Sequence, residues 1–121
     1  LLTLFQSMVA LIKKVKPDVA ALETLFFNTN VTTAFSVGQA RGVVMLSLAQ
    51  ANIPVVEYNP MQVKVALTGY GAAKKMQLNR MVAQILHLSK PLAPDDVADA
   101  AAIALTHCFS YKLKRLENIS R

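Results

Sequence analysis

The stretch Val19-Ala20-Ala21-Leu22-Glu23-Thr24-Leu25-Phe26-Phe27 decides how this chain is read. It follows the breaker Pro17-Asp18 and runs into the polar Asn28-Thr29-Asn30. An apolar run of this length between breakers predicts a strand over Val19 to Phe26, covered on both faces as in a parallel sheet. Glu23 sits inside that run. A carboxylate in a low dielectric either takes up a proton or finds a cation, because an unpaired charge there is strongly penalised. The competing reading is an edge-strand Glu23 facing water.

A second acidic set opens the run Asp96-Val97-Ala98-Asp99-Ala100-Ala101-Ala102-Ile103-Ala104-Leu105. Three positions apart on a helix, Asp96 and Asp99 share a face. The alanines let that helix lie close to a sheet and bring its aspartates to Glu23. For Asp95 and Asp96 the plain alternative is strong, since acids in a first turn satisfy free N–H groups and the helix dipole. No Lys or Arg lies inside either run, so the expected counter-ion is a hard divalent metal on oxygen ligands, as in Mg²⁺ sites acting on phosphates.

Outward from these runs the chain reads as alternating helices and strands. Apolar residues at Leu1, Leu4, Phe5, Met8, Leu11, Ile12 and Val15 predict a helix to Lys16, with Lys13, Lys14 and Lys16 at the end the dipole favours. A long helix follows from Thr32 or Thr33 to about Gln50, then a short strand over Val55 to Tyr58. Pro60 suits the first turn of a helix reaching Leu67. Gly69-Tyr70-Gly71 is a turn, Ala72 to Leu88 is helical, and the last helix runs from Asp96 to about Leu113. Parallel strands with right-handed crossovers follow from this order. Two strands alone make a poor sheet. The chain starts at Leu1 already inside an element, and is read as N-terminally truncated, with an antiparallel run expected beside Val19 to Phe26. The expected organisation is one domain over 1–113 and a polar tail over 114–121.

Composition narrows the class of partner. Thirteen Lys and Arg against seven Asp and Glu give a net charge of +6, an excess that favours a polyanion such as nucleic acid. The single cysteine, Cys108, excludes a disulfide framework and a cysteine zinc site, and is expected as a small buried apolar residue in a cytoplasmic protein. No apolar stretch reaches the ~20 residues that span a bilayer, so no membrane association is expected. No glycine-rich strand-to-helix turn supports a Rossmann-like nucleotide enzyme.

Other residues stand out singly. Lys64 and Lys75 bracket the Gly69–Gly71 turn and are candidates to reach one phosphate. Phe26, at the strand end, is a candidate to stack on an unpaired base. Gly38 and Gly42 sit mid-helix at a cost of about 1 kcal/mol each; they make sense where something packs closely, the sheet or a second subunit. His87 and His107 lack metal-ligand spacing.

Taken in order, these segments resemble the bacterial RuvC Holliday junction resolvases. The resemblance is carried by Lys16-Pro17-Asp18 with Ala21-Leu22-Glu23 and Phe26, then Gly38-Gln39-Ala40-Arg41-Gly42-Val43. It continues through Val56-Glu57-Tyr58, Gln62-Val63-Lys64, Thr68-Gly69-Tyr70-Gly71 with Ala73-Lys74-Lys75, and Asp96-Val97-Ala98-Asp99-Ala100 with Ala104-Leu105-Thr106-His107. It implies an α/β RNase H-like fold lacking here its first antiparallel strands, and a homodimer that nicks two strands of a four-way DNA junction in recombination and repair. It places three of four Mg²⁺-binding acids at Glu23, Asp96 and Asp99, with Mn²⁺ a plausible substitute. The fourth belongs to a Gly-Ile-Asp-Pro-Gly-like strand that this sequence does not contain, so the chain alone is expected to cut poorly.

The same resemblance assigns Lys64, Lys75 and Phe26 to junction DNA, puts Gly38 and Gly42 at the dimer interface, and implies a branch-migration motor as partner. Two cations a few ångströms apart would activate water and stabilise the leaving 3′-oxygen, giving 5′-phosphate and 3′-hydroxyl ends. The alternative is an RNase H-like module that binds branched DNA without cutting it.

Overall fold

The structure, a computed structural model, describes residues 1–24 and 31–120, with side chains as far as Lys112. In chain order the elements are α1 (Leu2–Val15), β1 (Ala20–Glu23), α2 (Val31–Gln50), β2 (Val55–Tyr58), α3 (Pro60–Thr68), α4 (Lys75–Ile85) and α5 (Asp95–Ser120). Each helix expected within the chain is present, as is the strand over Val55 to Tyr58; the strand expected over Val19 to Phe26 is seen at Ala20–Glu23, and its end at 25–26 lies outside the described residues.

Among the described residues the sheet has two strands, β1 beside β2. The Ala20 N–H donates to the Pro54 carbonyl and the Thr24 N–H to the Tyr58 carbonyl, at 3.0 and 2.9 Å. Four residues along one strand match four along the other in the same direction, so the pairing is parallel. β1 is half-buried rather than enclosed, and Glu23 is its exposed residue.

Local chemistry sets the helix ends. Asn59 and Gln62 exchange two 2.8 Å hydrogen bonds, each side-chain oxygen accepting from the other's backbone N–H, and Pro60 fills the first position of α3. This reciprocal cap satisfies two donors that a helix start leaves free. α4 begins at Lys75, three residues later than its apolar spacing suggested, because the Gln77 side chain accepts from the Lys74 N–H at 2.9 Å. It also closes early. His87 takes a left-handed φ of 56°, and the Leu88 N–H returns to the Ala83 carbonyl at 2.8 Å. Asn52 (φ 58°) closes α2 in the same way, with the Ile53 N–H on the Leu48 carbonyl at 2.9 Å. α1 ends on Lys16, also left-handed at φ 51°, just before Pro17.

The helix backbone of α5 continues to Ser120, past Leu113 and through the stretch expected as a tail. Cys108 is exposed, not buried. It lies with the exposed Ala104 and Lys112 on the outer face of α5, at four-residue spacing, opposite the buried Ala98, Ala102 and Thr106.

The chain forms two compact units. In the one comprising 1–20 and 31–56, α1 packs on α2 and the buried residues are Ser47, Leu48 and Ile53. In the other, 21–24 with 57–120, α3, α4 and α5 pack against one another around Tyr58, Val63, Leu67, Leu78, Val82 and Ile103. Ala98 and Ala102, 0% and 1% exposed, form the close-contact stripe of α5. Tyr58 is buried with its hydroxyl 2.8 Å from His107 Nδ1, which gives that histidine a structural partner.

Candidate functional site

The end of β1, the body of α3, the start of α4 and the first turns of α5 meet at one cavity of about 200 Å³, wholly within the second unit. Glu23, Lys64, Lys75 and Asp99 supply its charges, and Val63, Leu78 and Ile103 its apolar lining. Each charged residue is delivered by its own element. Glu23 is the last residue of β1, Lys64 lies one position past the buried Val63, Lys75 opens α4, and Asp99 lies beside the buried Ala98.

Four of the residues singled out from the sequence therefore come together here. Asp96 does not line the cavity; it is exposed in the first turn of α5. Phe26 lies outside the described residues. Gly38 and Gly42 are on α2, and a Cβ added to either meets nothing within 4 Å among the described residues. The close neighbour that would explain them is thus not found in the described chain.

The counter-ion of Asp99 is a side chain, contrary to the expectation drawn from its sequence neighbours. Lys75 Nζ lies 3.1 Å from one Asp99 oxygen and 3.2 Å from the other, and 3.7 Å from Asp95. A reading along the run cannot see this cation, because it arrives from 24 positions away. Asp95, passed over as a first-turn acid, takes part because it and Asp99 are four apart and share a face. The hydrogen bond that Lys75 donates to Asp99 raises the lysine pKa above its ordinary value; the charges of Asp99 and Asp95 add to this, and desolvation opposes it. Lys75 and Asp99 side chains are 50% and 40% exposed, so water screens the pair.

Among the described residues no group of three or more His, Cys, Asp and Glu could hold a metal ion. Glu23 and Asp99 nevertheless offer hard carboxylate oxygens to one cavity, and Mg²⁺ sites are commonly built from one or two carboxylates completed by water and substrate phosphate. The donor set fits such an ion. Lys64 and Lys75 add the cationic donors that a phosphate requires.

Helices flanking two parallel strands make this an α/β protein, and its likeness to solved structures puts it in the RNase H-like class. Two solved structures share the backbone: Thermus thermophilus RuvC (TM-score 0.85) and T. thermophilus RuvC in complex with Holliday junction substrate (TM-score 0.87). Each is 38% identical to this chain over 93% of it and 68% of the other. The family model described as crossover junction endodeoxyribonuclease RuvC matches residues 1–107. Curated relatives carrying that same description are 54% identical in Brevibacillus brevis, over 86% of this chain, and 54% identical in Halothermothrix orenii, over 89% of it. This chain belongs to the RuvC family. It spans 63% and 66% of the length of those two relatives.

Proposed function

We propose that this chain is the catalytic-site portion of a metal-dependent endonuclease that resolves four-way DNA junctions in recombination and repair. The observation that carries the reading is the convergence of Glu23 and Asp99 with Lys64 and Lys75 on one cavity. Membership of a family whose relatives are described as crossover junction endodeoxyribonucleases supports it.

Glu23 and Asp99, joined by Asp96 from the first turn of α5, would hold a divalent cation, Mg²⁺ or Mn²⁺. Bound there, the cation supplies activation of a water and stabilisation of the leaving oxygen. The carboxylates position and are not nucleophiles. Lys64 and Lys75 bind and orient the phosphodiester, and Phe26 stacks on an unpaired base at the open centre of the junction.

The dimer is proposed through the α2 face bearing Gly38 and Gly42, where Val31, Phe35, Met45 and Leu46 are exposed large apolar residues. Among the described residues no helix is long and apolar enough to cross a membrane; the proposed compartment is the cytoplasm, and the proposed further partner a branch-migration motor. We also carry the domain limits 1–113 and 114–121 as a proposal.

The test is cleavage of a synthetic four-way junction in Mg²⁺ or Mn²⁺, with Glu23→Gln and Asp99→Asn alongside. The expected result is weak paired nicking by this chain, in keeping with its missing fourth acid, lost in both variants with junction binding retained. Nicking that survives both substitutions would reject the assignment. A second reading, binding without cutting, is favoured by one observation: among the described residues, two carboxylates line the cavity. Tight, salt-sensitive junction binding with no nicking under either metal would select it.

A further inference from the structure

We propose that Lys75 is the resident cation of the Asp99 carboxylate, which a divalent metal must displace, so that metal entry releases this ammonium toward a phosphate. The inference rests on the site reading above and concerns what the lysine does before DNA arrives. Lysine has three N–H donors and no acceptor. Here Nζ faces both Asp99 oxygens, at 3.1 and 3.2 Å, and Asp95 at 3.7 Å.

A hard cation needs those same oxygens at about 2.0–2.6 Å. An ammonium left in place would then sit against a like charge, which is unfavourable even where water screens it. Metal and ammonium therefore exclude one another at Asp99.

The displaced group has somewhere to go. Lys75 is half-exposed on a flexible four-carbon stem, at the first position of α4, and lines the same cavity as Lys64. Released, it joins Lys64 as a second cation facing an entering phosphate. One side chain thus serves two anions in turn, and the metal decides which. Lys64 lines the cavity without forming an ion pair with Asp95 or Asp99. It is therefore the control for charge alone.

The experiment is Mn²⁺ binding to the whole chain without DNA, read as free Mn²⁺ by electron paramagnetic resonance at low salt, with circular dichroism to check the fold. Removing Lys75 in Lys75→Gln, and independently in Lys75→Met, should tighten Mn²⁺ by about two- to fivefold, the scale of a half-exposed ion pair. Lys64→Gln should tighten it less. Equal effects at the two lysines would overturn the exchange and leave only a general field, and no tightening at Lys75 would overturn it outright. Asp99→Asn separates the two levels. If it weakens Mn²⁺ while the Lys75 variants do nothing, the exchange is wrong and the site reading stands. Unchanged affinity in Asp99→Asn removes the site reading and the exchange with it.

Discussion

At the scale of single residues, what matters is which partner each charge finds. Glu23 was expected to be enclosed and lies exposed at a strand end; Asp99 was expected to need a metal and is paired with a lysine. Lys64→Ala and Lys75→Ala should each weaken junction binding and lower its salt slope by about one unit, with the circular dichroism spectrum unchanged. An unaltered slope in both would remove the lysines from the DNA interface. Away from the cavity, Tyr58 is 2% exposed and its hydroxyl meets His107 at 2.8 Å. Tyr58→Phe should cost about 1 kcal/mol in urea unfolding and leave junction cleavage at wild-type level. These side-chain pairs were the least legible part of the sequence. Tyr58 and His107 stand 49 positions apart and Lys75 and Asp99 stand 24 apart, and periodicity within one element carries no information about such partners. Asp95 and Asp96 show the same limit, since adjacent acids in a first turn look alike until the lysine selects one.

At the scale of elements the sequence was far more informative. Pro17, Asn59-Pro60 and Gly69 each end or start a helix where local backbone chemistry demands it, and strand and helix order follows from periodicity. The boundaries of α4 moved inward because a side-chain cap and a left-handed closure set them, and apolar spacing is blind to both. Cys108 was misplaced for a related reason. An apolar neighbourhood in sequence does not say which face of α5 a residue occupies, whereas the fully buried Ala98 and Ala102 fix that face. Gly42 gives the element-scale prediction. With no described atom within 4 Å of an added Cβ, Gly42→Ala should stabilise the isolated helix by about 0.5–1 kcal/mol. If α2 forms the dimer face, the same methyl group should loosen the dimer in sedimentation equilibrium. A dimer of unchanged strength would place the glycines outside the interface.

At the scale of the whole molecule, a net charge of +6 should make junction affinity fall steeply as salt rises, through release of counterions from DNA. Affinity that is flat from low to physiological salt would argue against a nucleic-acid partner altogether. Among the described residues, three helices close on residues other than glycine in the left-handed region: Lys16, Asn52 and His87. A side chain with a Cβ pays roughly 1–2 kcal/mol for that conformation, while glycine gives back about 0.5–1 kcal/mol through the freedom it adds to the unfolded chain. Asparagine tolerates the region better than lysine or histidine do. Lys16→Gly and His87→Gly should therefore raise the melting temperature, and Asn52→Gly should leave it nearly unchanged. None of the three residues lines the cavity. The loop ends thus hold a reserve of thermal tolerance that a protein engineer, or natural drift, can draw on without touching the chemistry.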